Sequence, residues 1–278
     1  MKTLGLALGG GGARGLAHIV VLEAIDDLGI KPVALAGTSI GALIGACYAA
    51  GMSGRAIRRF ALGLAHNPAD VWRRLMSARA APLASFLSAP FGNPVLVDAE
   101  KLVASFLPDE VPRTFAELRH PLVVIAADLA SHREVIFTQG ELRPALAASI
   151  AVPGLVRPMA VDGRVLVDGG AVDPLPFSQI KGRADVVLAV DCSAGPVDVR
   201  QIPDAWESVF ATITVMGQTI VAEKLRHGAP DLLIRPNVGQ FRLLEFFLAS
   251  SILRAAESVK AEVRDRLVPL IGAGERSQ

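Results

Sequence analysis

A run of four glycines at residues 9–12 limits what the first part of this chain can form. The run follows an apolar segment, residues 3–8, that is typical of a strand, and it precedes residues 16–28, whose apolar spacing predicts a helix. Glycine lets backbone N–H groups approach a negative charge without a Cβ atom in the way, and a helix N-terminus adds partial positive charge. We therefore expect an anion-binding loop that contains Gly10, Gly11, Gly12, Arg14 and Gly15.

Three anions fit such a loop: a nucleotide phosphate, the pyrophosphate of a dinucleotide, and the oxyanion of an acyl-transfer reaction. The spacing Gly10-x-Gly12-x-x-Gly15 matches the dinucleotide fingerprint, so a dinucleotide-binding oxidoreductase is one alternative. That fold places an acidic residue near the end of its second strand, whereas the second predicted strand here, residues 33–36, is followed by a glycine and a threonine. A nucleotide loop ends in lysine followed by serine or threonine, and this run does not.

The second predicted strand continues into Gly37-Thr38-Ser39-Ile40-Gly41, which fits the pattern Gly-x-Ser-x-Gly. In this pattern the serine lies on a sharp turn between a strand and a helix, and the flanking Gly37 and Gly41 relieve crowding around it. Residues 42–50 are mostly small and apolar and predict the helix. Because the upstream loop can donate N–H groups to an oxyanion, the combination indicates acyl transfer with Ser39 as the nucleophile.

A serine nucleophile needs a positioned base, which is most often a histidine. None of the histidines has a convincing setting, and we interpret each as structural or exposed: His18, His66, His120, His132 and His227. A histidine-dependent hydrolase nevertheless stays an alternative. Asp168 ends an apolar predicted strand, and Gly169 and Gly170 after it leave the carboxylate accessible. It is either the base, strengthened by partial desolvation, or an aspartate that caps a turn.

Three segments, residues 10–15, 37–41 and 168–170 in this order, resemble the patatin-like phospholipases, in particular their small bacterial members. The similarity extends from Leu4 to about Cys192. It implies an α/β fold of three layers, with a mainly parallel central sheet, helices on both faces and the nucleophile elbow after the second strand. It also implies a dyad of Ser39 and Asp168 without histidine, and the glycine-rich loop as the oxyanion hole.

The resemblance further implies a lipid or acyl-ester substrate, hydrolysis of phospholipase A or lysophospholipase type, and no cofactor. Under this interpretation the N–H groups of residues 10–12 hold the developing negative charge. Arg14 either steadies the loop or attracts a phosphate head group. A catalytically weak regulatory or lipid-binding protein on the same fold is the other alternative.

Composition and strand signals favour one α/β domain over residues 1–278, because 51% of the chain is hydrophobic. Strand and helix signals alternate in the first half, which predicts parallel pairing. Further strands are predicted at 122–127, 134–138 and 186–190, and Asp162-Gly163 predicts a hairpin between 156–160 and 164–167.

Charge and cysteine usage exclude several classes of function. The net charge of +1 arises from 28 basic and 27 acidic residues that are intermixed, which disfavours nucleic-acid binding. Cys47 and Cys192 lie in apolar surroundings and are expected to be buried thiols. Because no residues have metal-ligand spacing, we expect no metal site. Nothing in the sequence specifies an oligomeric state.

Two regions outside the motifs have helical patterns. Residues 52–118 predict a helical cap or side layer, with Asn67-Pro68 as the cap and first turn of one helix. Within it, residues 80–97 carry no charge, and they either fold over the core or form an apolar lip for acyl chains. Residues from about 243 to 268 predict a C-terminal helix that packs on the core, and transient contact of this helix with a membrane surface is a further hypothesis.

Residues 33–52 contain no charge, and a membrane-spanning helix is one interpretation of them. We prefer a buried strand, elbow and helix, since the glycines in this segment are poor helix formers. The N-terminal residues do not resemble a secretion signal. We therefore expect a cytoplasmic protein that is at most peripheral to the inner membrane face.

Overall fold

The computed structural model describes residues 1–78, 97–193, 195 and 205–272, so most of the lip predicted at 80–97 lies outside the described residues. In chain order the strands and helices are β1 (Leu4–Leu8), α1 (His18–Asp27), β2 (Ala34–Thr38), α2 (Ile40–Ala49), α3 (Gly54–Ala65), α4 (Pro68–Ser77), α5 (Ala99–Phe106), β3 (Leu122–Asp128), β4 (Arg133–Phe137), α6 (Leu142–Ser149), β5 (Met159–Val161), β6 (Arg164–Asp168), β7 (Val186–Val190), α7 (Ala205–His227), β8 (Leu232–Ile234), α8 (Ala249–Ala255) and α9 (Val259–Ile271).

The strands form one sheet in the order β5-β6-β3-β2-β1-β7-β8, and β4 also pairs with β3. The five strands from β3 to β8 in this order are parallel, whereas β4, β5 and β6 join antiparallel. Every residue of β1, β2, β3 and β7 is buried, as expected for parallel strands that are covered on both faces. The predicted mainly parallel sheet is confirmed.

Helices cover the sheet on both faces, so the molecule has three layers. On one face, Leu6, Leu35 and Val124 pack against a core to which α1, α2, α6 and α9 contribute. On the other face, smaller strand residues such as Ala36 pack against Val221 of α7 and against a 3-10 turn, Phe177–Ile180. The three-layer α/β fold expected from the sequence is therefore confirmed.

The region predicted as a helical layer contains α3, α4 and α5. Side chains cap the first turns of these helices. Ser53 Oγ accepts the N–H of Ala56 at 3.2 Å, and Asn67 Oδ1 accepts the N–H of Asp70 at 3.2 Å. Asn67 is thus the N-cap of α4, as the Asn67-Pro68 pair predicts.

The C-terminal region differs from the single helix predicted at about 243–268. The structure has a 3-10 turn, Phe246–Leu248, followed by α8 and α9, with a break between residues 255 and 259. Tertiary contacts override helix propensity here. The Leu243 carbonyl accepts the N–H of Ala13 at 2.7 Å, and Glu257 at the break pairs with Arg58 and Lys260.

The uncharged segment at 33–52 contains β2 and α2 and not a spanning helix. More generally, within the described ranges no helix combines the length and the apolar character needed to cross a membrane.

Candidate active site

Ser39 and Asp168 meet because two strands share one edge of β3. β4 pairs with residues 124–128 of β3 and so occupies one of its edges. The opposite edge pairs with β2 as far as Ile125 and with β6 from Ala126 onward. Because β2 runs parallel to β3 and β6 runs antiparallel, the carboxyl ends of β2 and β6 meet end to end. Ser39 follows β2 directly, and Asp168 is the last residue of β6.

The turn at Ser39 has the strained backbone of a nucleophile elbow. Ser39 has φ 55° and ψ −125°, a conformation that non-glycine residues rarely adopt. The following helix runs very close to β1, because a Cβ atom on Gly41 would lie 2.2 Å from the carbonyl oxygen of Leu8. A Cβ atom on Gly37 would lie 2.6 Å from the Cα of Ala42. Glycine at both positions is therefore required for this tight turn.

Hydrogen bonds from distant segments hold the elbow. The N–H of Ser39 donates to Ser149 Oγ at 2.9 Å, and Ser149 is fully buried at the end of α6. The hydroxyl of Thr38 donates to the carbonyl oxygen of Asp173 at 2.8 Å, also in a buried position. These bonds attach the elbow to segments on both sides of Asp168, and they offset part of the cost of the strained conformation.

The carboxylate of Asp168 accepts hydrogen bonds both from Ser39 and from the turn that follows it. Its Oδ2 accepts the hydroxyl proton of Ser39 with 2.5 Å between the oxygens, while its Oδ1 accepts the N–H of Gly170 at 2.7 Å. Burial disfavours the charged form and raises the pKa of Asp168 from 3.8 to about 6, although both hydrogen bonds act in the opposite direction. The carboxylate is therefore a stronger base than an exposed aspartate, and it remains ionised at neutral pH.

The glycine-rich loop lies against Ser39, but its N–H groups are not equivalent. A Cβ atom on Gly10 would be 3.7 Å from the Cβ of Ser39, so this glycine faces the elbow. The N–H of Gly10 donates to Pro174 O at 2.9 Å, which differs from the expectation that residues 10–12 all donate to an oxyanion. The N–H groups of Gly11, Gly12 and Ile40 have no acceptor among the described residues.

Gly12 also determines where the C-terminal region crosses the site. It has φ 56°, and a Cβ atom there would lie 2.2 Å from the carbonyl oxygen of Leu243. Gly15, at the end of the motif, packs equally closely, because its Cβ atom would lie 2.2 Å from Ile40 Cγ2. The loop is thus clamped between the elbow on one side and the Leu243 segment on the other.

Arg14 is buried and borders the same site. Only 3% of its surface is exposed, and its Nε and Nη1 atoms have no hydrogen-bond partner among the described residues. Desolvation lowers the pKa of Arg14, while the nearby Cys192 and Asp191 raise it. Arg14 is therefore not a surface residue, and it contributes to the lining of the cavity beside Ser39.

None of the five histidines, all within the described ranges, contacts Ser39 or lines the cavity beside it. His18 is buried and bonds to the carbonyl oxygen of Gly9 through Nε2 at 2.8 Å, and burial lowers its pKa to about 4. His227 pairs with Glu223 on the exposed side of α7. The arrangement favours Asp168 over any histidine as the group that accepts the proton of Ser39.

A cavity of about 650 Å³ opens beside Ser39 and Asp168. Its wall is formed by α3, α4, α5, α7 and the segment at 243–247, and most of the side chains that line it are aliphatic or aromatic. The apolar lining includes Ile57, Leu64, Leu75, Val103 and Phe106. Such a cavity matches a ligand with a long apolar portion and a polar group at the serine.

Several contributors to the site have no local signal in the sequence. Ser149 lies 110 positions from Ser39 in the chain, and no spacing rule connects the two residues. The same holds for α7 and the segment at 243–247, whose places in the cavity wall depend on the tertiary fold. Ile40, by contrast, could have been predicted from the Gly-x-Ser-x-Gly pattern, because the residue after the nucleophile of such an elbow commonly supplies an N–H group to the oxyanion.

Comparisons with known proteins show what this chain is similar to. An uncharacterized NTE family protein of Mycobacterium tuberculosis is 37% identical over 195 residues, which are 69% of this chain and 50% of that protein. The lysophospholipase NTE1 of Pyricularia oryzae is 32% identical over 201 residues, 72% of this chain and 13% of that protein. The chain thus spans half or less of the length of these curated relatives.

The crystal structure of VipD from Legionella pneumophila has a similar fold, with a TM-score of 0.51 and 15% identity over 95% of this chain and 66% of that one. The family model described as patatin-like phospholipase matches residues 6–180, a range that includes the glycine-rich loop, Ser39 and Asp168. This match covers more than half of the chain. On these grounds the chain belongs to the patatin-like phospholipase family.

Proposed function

We propose that the protein is a serine esterase that hydrolyses acyl esters of lipids, of the phospholipase A or lysophospholipase type. The observation that carries the proposal is the 2.5 Å contact between Ser39 Oγ and Asp168 Oδ2 at the side of a large apolar cavity. Membership of the patatin-like phospholipases and the similarity to a protein named lysophospholipase support a lipid ester as substrate.

In the first half of the proposed reaction, Ser39 Oγ attacks the ester carbonyl carbon as its proton moves to Asp168. The carbonyl oxygen becomes an oxyanion, and the N–H groups of Gly11, Gly12 and Ile40 would stabilise it, since none of them has an acceptor among the described residues. The tetrahedral intermediate collapses, the proton passes from Asp168 to the leaving alcohol, and Ser39 keeps the acyl group.

In the second half, water attacks the acyl-enzyme and Asp168 accepts the proton of that water. Collapse of the second intermediate returns the proton to Ser39 Oγ and releases the fatty acid. Because the pKa of Asp168 is raised to about 6, the same carboxyl group can accept and return a proton near neutral pH. This scheme requires no metal ion or cofactor.

Arg14 has a supporting role in this proposal. Arg14 is buried and lines the cavity, and it would add positive potential where the oxyanion forms or where a phosphate head group approaches. A regulatory or lipid-binding protein with weak catalysis is the second candidate. It would bind lipid in the same cavity, and only a test of the chemistry at Ser39 separates it from an esterase.

The decisive experiment is labelling with a fluorophosphonate, mapped by mass spectrometry, together with hydrolysis of a short-chain ester. We expect the label on Ser39, and we expect Ser39→Ala to lose both labelling and turnover while remaining folded. Ser193→Ala is the matched control, since Ser193 also lines the cavity but its hydroxyl donates to Asp191 at 2.8 Å. Labelling at any residue other than Ser39, or turnover by Ser39→Ala, contradicts the proposal.

A further inference from the structure

The mouth of the cavity is apolar throughout the described residues. Among the described residues, six that line the cavity are also exposed to solvent, and all six are apolar: Pro153, Ala171, Met216, Leu244, Phe246 and Phe247. Met216 and Phe247 are 59% and 53% exposed. We call these six residues the mouth rim. Large exposed apolar side chains clustered at one opening indicate an interaction surface.

The apolar surface continues beyond the cavity. Val215 on α7 is 64% exposed and Leu248 is 42% exposed, and neither residue lines the cavity. Each is the chain neighbour of a mouth-rim residue. The exposed apolar surface, which we call the patch, therefore extends beyond the residues that line the cavity.

Two acidic residues on the segments that carry the mouth rim interact with Arg242. Glu207 pairs with the guanidinium of Arg242 at 2.5 Å, and Glu245 accepts the backbone N–H of Arg242 at 2.8 Å. Paired carboxylates are less repulsive toward an apolar or zwitterionic surface than free ones. The surface around the opening thus combines exposed hydrocarbon with local charge compensation.

We propose that the mouth rim, with Val215 and Leu248, inserts into the surface of a lipid bilayer, and that the acyl chain of the substrate enters the cavity directly from that surface. The inference rests on the proposed function, because it assumes a lipid ester as substrate. A bilayer is favoured over a folded partner, since the exposed mouth-rim residues also line the cavity, which therefore opens within the patch. A protein seated there would close the route to Ser39, whereas a bilayer supplies acyl chains through it.

Co-sedimentation with vesicles of phosphatidylcholine alone tests this inference. The full chain carries Ser39→Ala so that the vesicles stay intact. The double variant Val215→Ser with Leu248→Ser removes apolar surface next to the opening without changing the cavity lining. The matched control is Val33→Ser with Ile136→Ser, because these side chains are 40% and 45% exposed and lie outside the cavity.

We expect the parent to bind, with affinity that changes little between low and high salt, because the contact is apolar. The Val215/Leu248 pair is expected to weaken binding by at least about tenfold, and the control pair to leave it unchanged. In proteins that keep Ser39, hydrolysis of a soluble short-chain ester should be the same for both pairs and the parent.

Equal sedimentation of the two pairs overturns the inference, and so does binding that needs anionic lipid and is lost at high salt. A change of oligomeric state caused only by the Val215/Leu248 pair, measured by sedimentation velocity, would assign the patch to contacts between copies of this chain. Failure of the proposed function is distinguishable from these results. It would appear as absent ester hydrolysis in the protein that keeps Ser39, whatever the sedimentation of the Ser39→Ala proteins shows.

Discussion

The two sides of the active-site cavity are built differently. On the side of the sheet, buried polar groups have specific partners: Ser39 bonds to Asp168 and Ser149, and Thr38 bonds to the Asp173 carbonyl. On the opposite side, α3, α4, α5 and α7 present half-buried apolar side chains with no directional contacts to the reacting groups. Val221 is the only fully buried residue among the described side chains of the long helix α7.

This difference follows from what each side must do. A nucleophile, a base and N–H donors act only within narrow limits of distance and angle, and burial with hydrogen bonds provides that precision. Holding an acyl chain requires apolar surface and space but no fixed direction. The family match ends at residue 180, before α7 and the segment at 243–247. It therefore includes Ser39, Asp168 and Ser149 but only part of the helical wall of the cavity.

Asp168→Asn should have the largest effect, and it tests the sheet side directly. We expect kcat to fall by roughly three orders of magnitude or more, because Asn cannot accept the proton of Ser39. The same change should increase the free energy of unfolding at neutral pH by about 2 kcal/mol, because it removes a buried charge whose pKa is raised to about 6. Ester hydrolysis and denaturant unfolding measure the two effects.

The stability gain has a defined pH dependence. Since the native pKa of Asp168 is above its ordinary value of 3.8, its contribution to stability is fully present below about pH 4 and is lost as the pH rises through about 6. The advantage of Asp168→Asn should therefore vanish in acid. Asp128→Asn is the matched control with the opposite sign, because hydrogen bonds from Ala130 and Ser131 lower the pKa of Asp128. A destabilised Asp168→Asn protein at neutral pH would contradict this account.

Ser149→Ala should have the second-largest effect on kcat. The change leaves the N–H of Ser39 without an acceptor, which costs about 1–3 kcal/mol and allows the elbow to relax. We expect kcat to fall by roughly tenfold to a hundredfold with little change in KM, because the cavity wall is untouched. Ser53→Ala, which removes the cap of α3, is the control: it should lower the melting temperature but not kcat. Equal kcat for the two variants would show that Ser149 has no part in positioning Ser39.

The pH dependence of the unmodified protein should show a smaller effect, and it tests the pKa of Asp168 on the sheet side of the cavity. The log of kcat/KM should rise with unit slope below about pH 6 and level off above it, because Asp168 must be ionised to accept a proton. One unit below that pKa, activity should be about tenfold below the plateau. Circular dichroism over the same range establishes that the protein stays folded. A profile that is flat down to pH 4 would remove Asp168 as the base.

Ala61→Trp tests the helical wall and should have the smallest effect. Ala61 lines the cavity from α3, and a larger side chain there takes up space that an acyl chain would occupy. We expect kcat/KM for long-chain esters to fall by several-fold up to about tenfold, and kcat/KM for short-chain esters to stay unchanged. Ala104→Trp, at an exposed position of α5 outside the cavity, is the control. An equal loss of kcat/KM for esters of all chain lengths would show that the helical wall does not contact the acyl chain.

The sequence predicted the local parts of the fold well. The strand, turn and helix around Ser39, the strand that ends at Asp168 and the helix Leu142–Ser149 each depend on residues that are adjacent in the chain. Non-local contacts were less predictable. The first strand of the hairpin was expected at 156–160 but is Met159–Val161, because Val156 instead forms a bridge with Val97.

The candidate site shows the same division. The motifs Gly-x-Ser-x-Gly and Asp-Gly-Gly point to Ser39 and Asp168. No local pattern, however, shows that the N–H of Gly10 donates to the carbonyl oxygen of Pro174. The broken C-terminal helix has a similar origin, since the Leu243 carbonyl binds the loop at Ala13. The sequence therefore predicts which residues would carry the proposed chemistry, whereas long-range packing determines which of their hydrogen-bonding atoms have no partner within the protein.

The meeting of β2 and β6 on one edge of β3 also has a consequence for how this protein becomes active. A slip of β6 by one residue would move Asp168 by about 3.3 Å and turn its side chain to the other face of the sheet, away from Ser39. The pairings that bring them together, Thr38 with Ile125 and Ala126 with Asp168, join residues far apart in the chain, and such non-local pairings are slow to form. Ester hydrolysis should thus be among the last properties regained during refolding, which makes enzymatic activity a sensitive reporter of correct strand register.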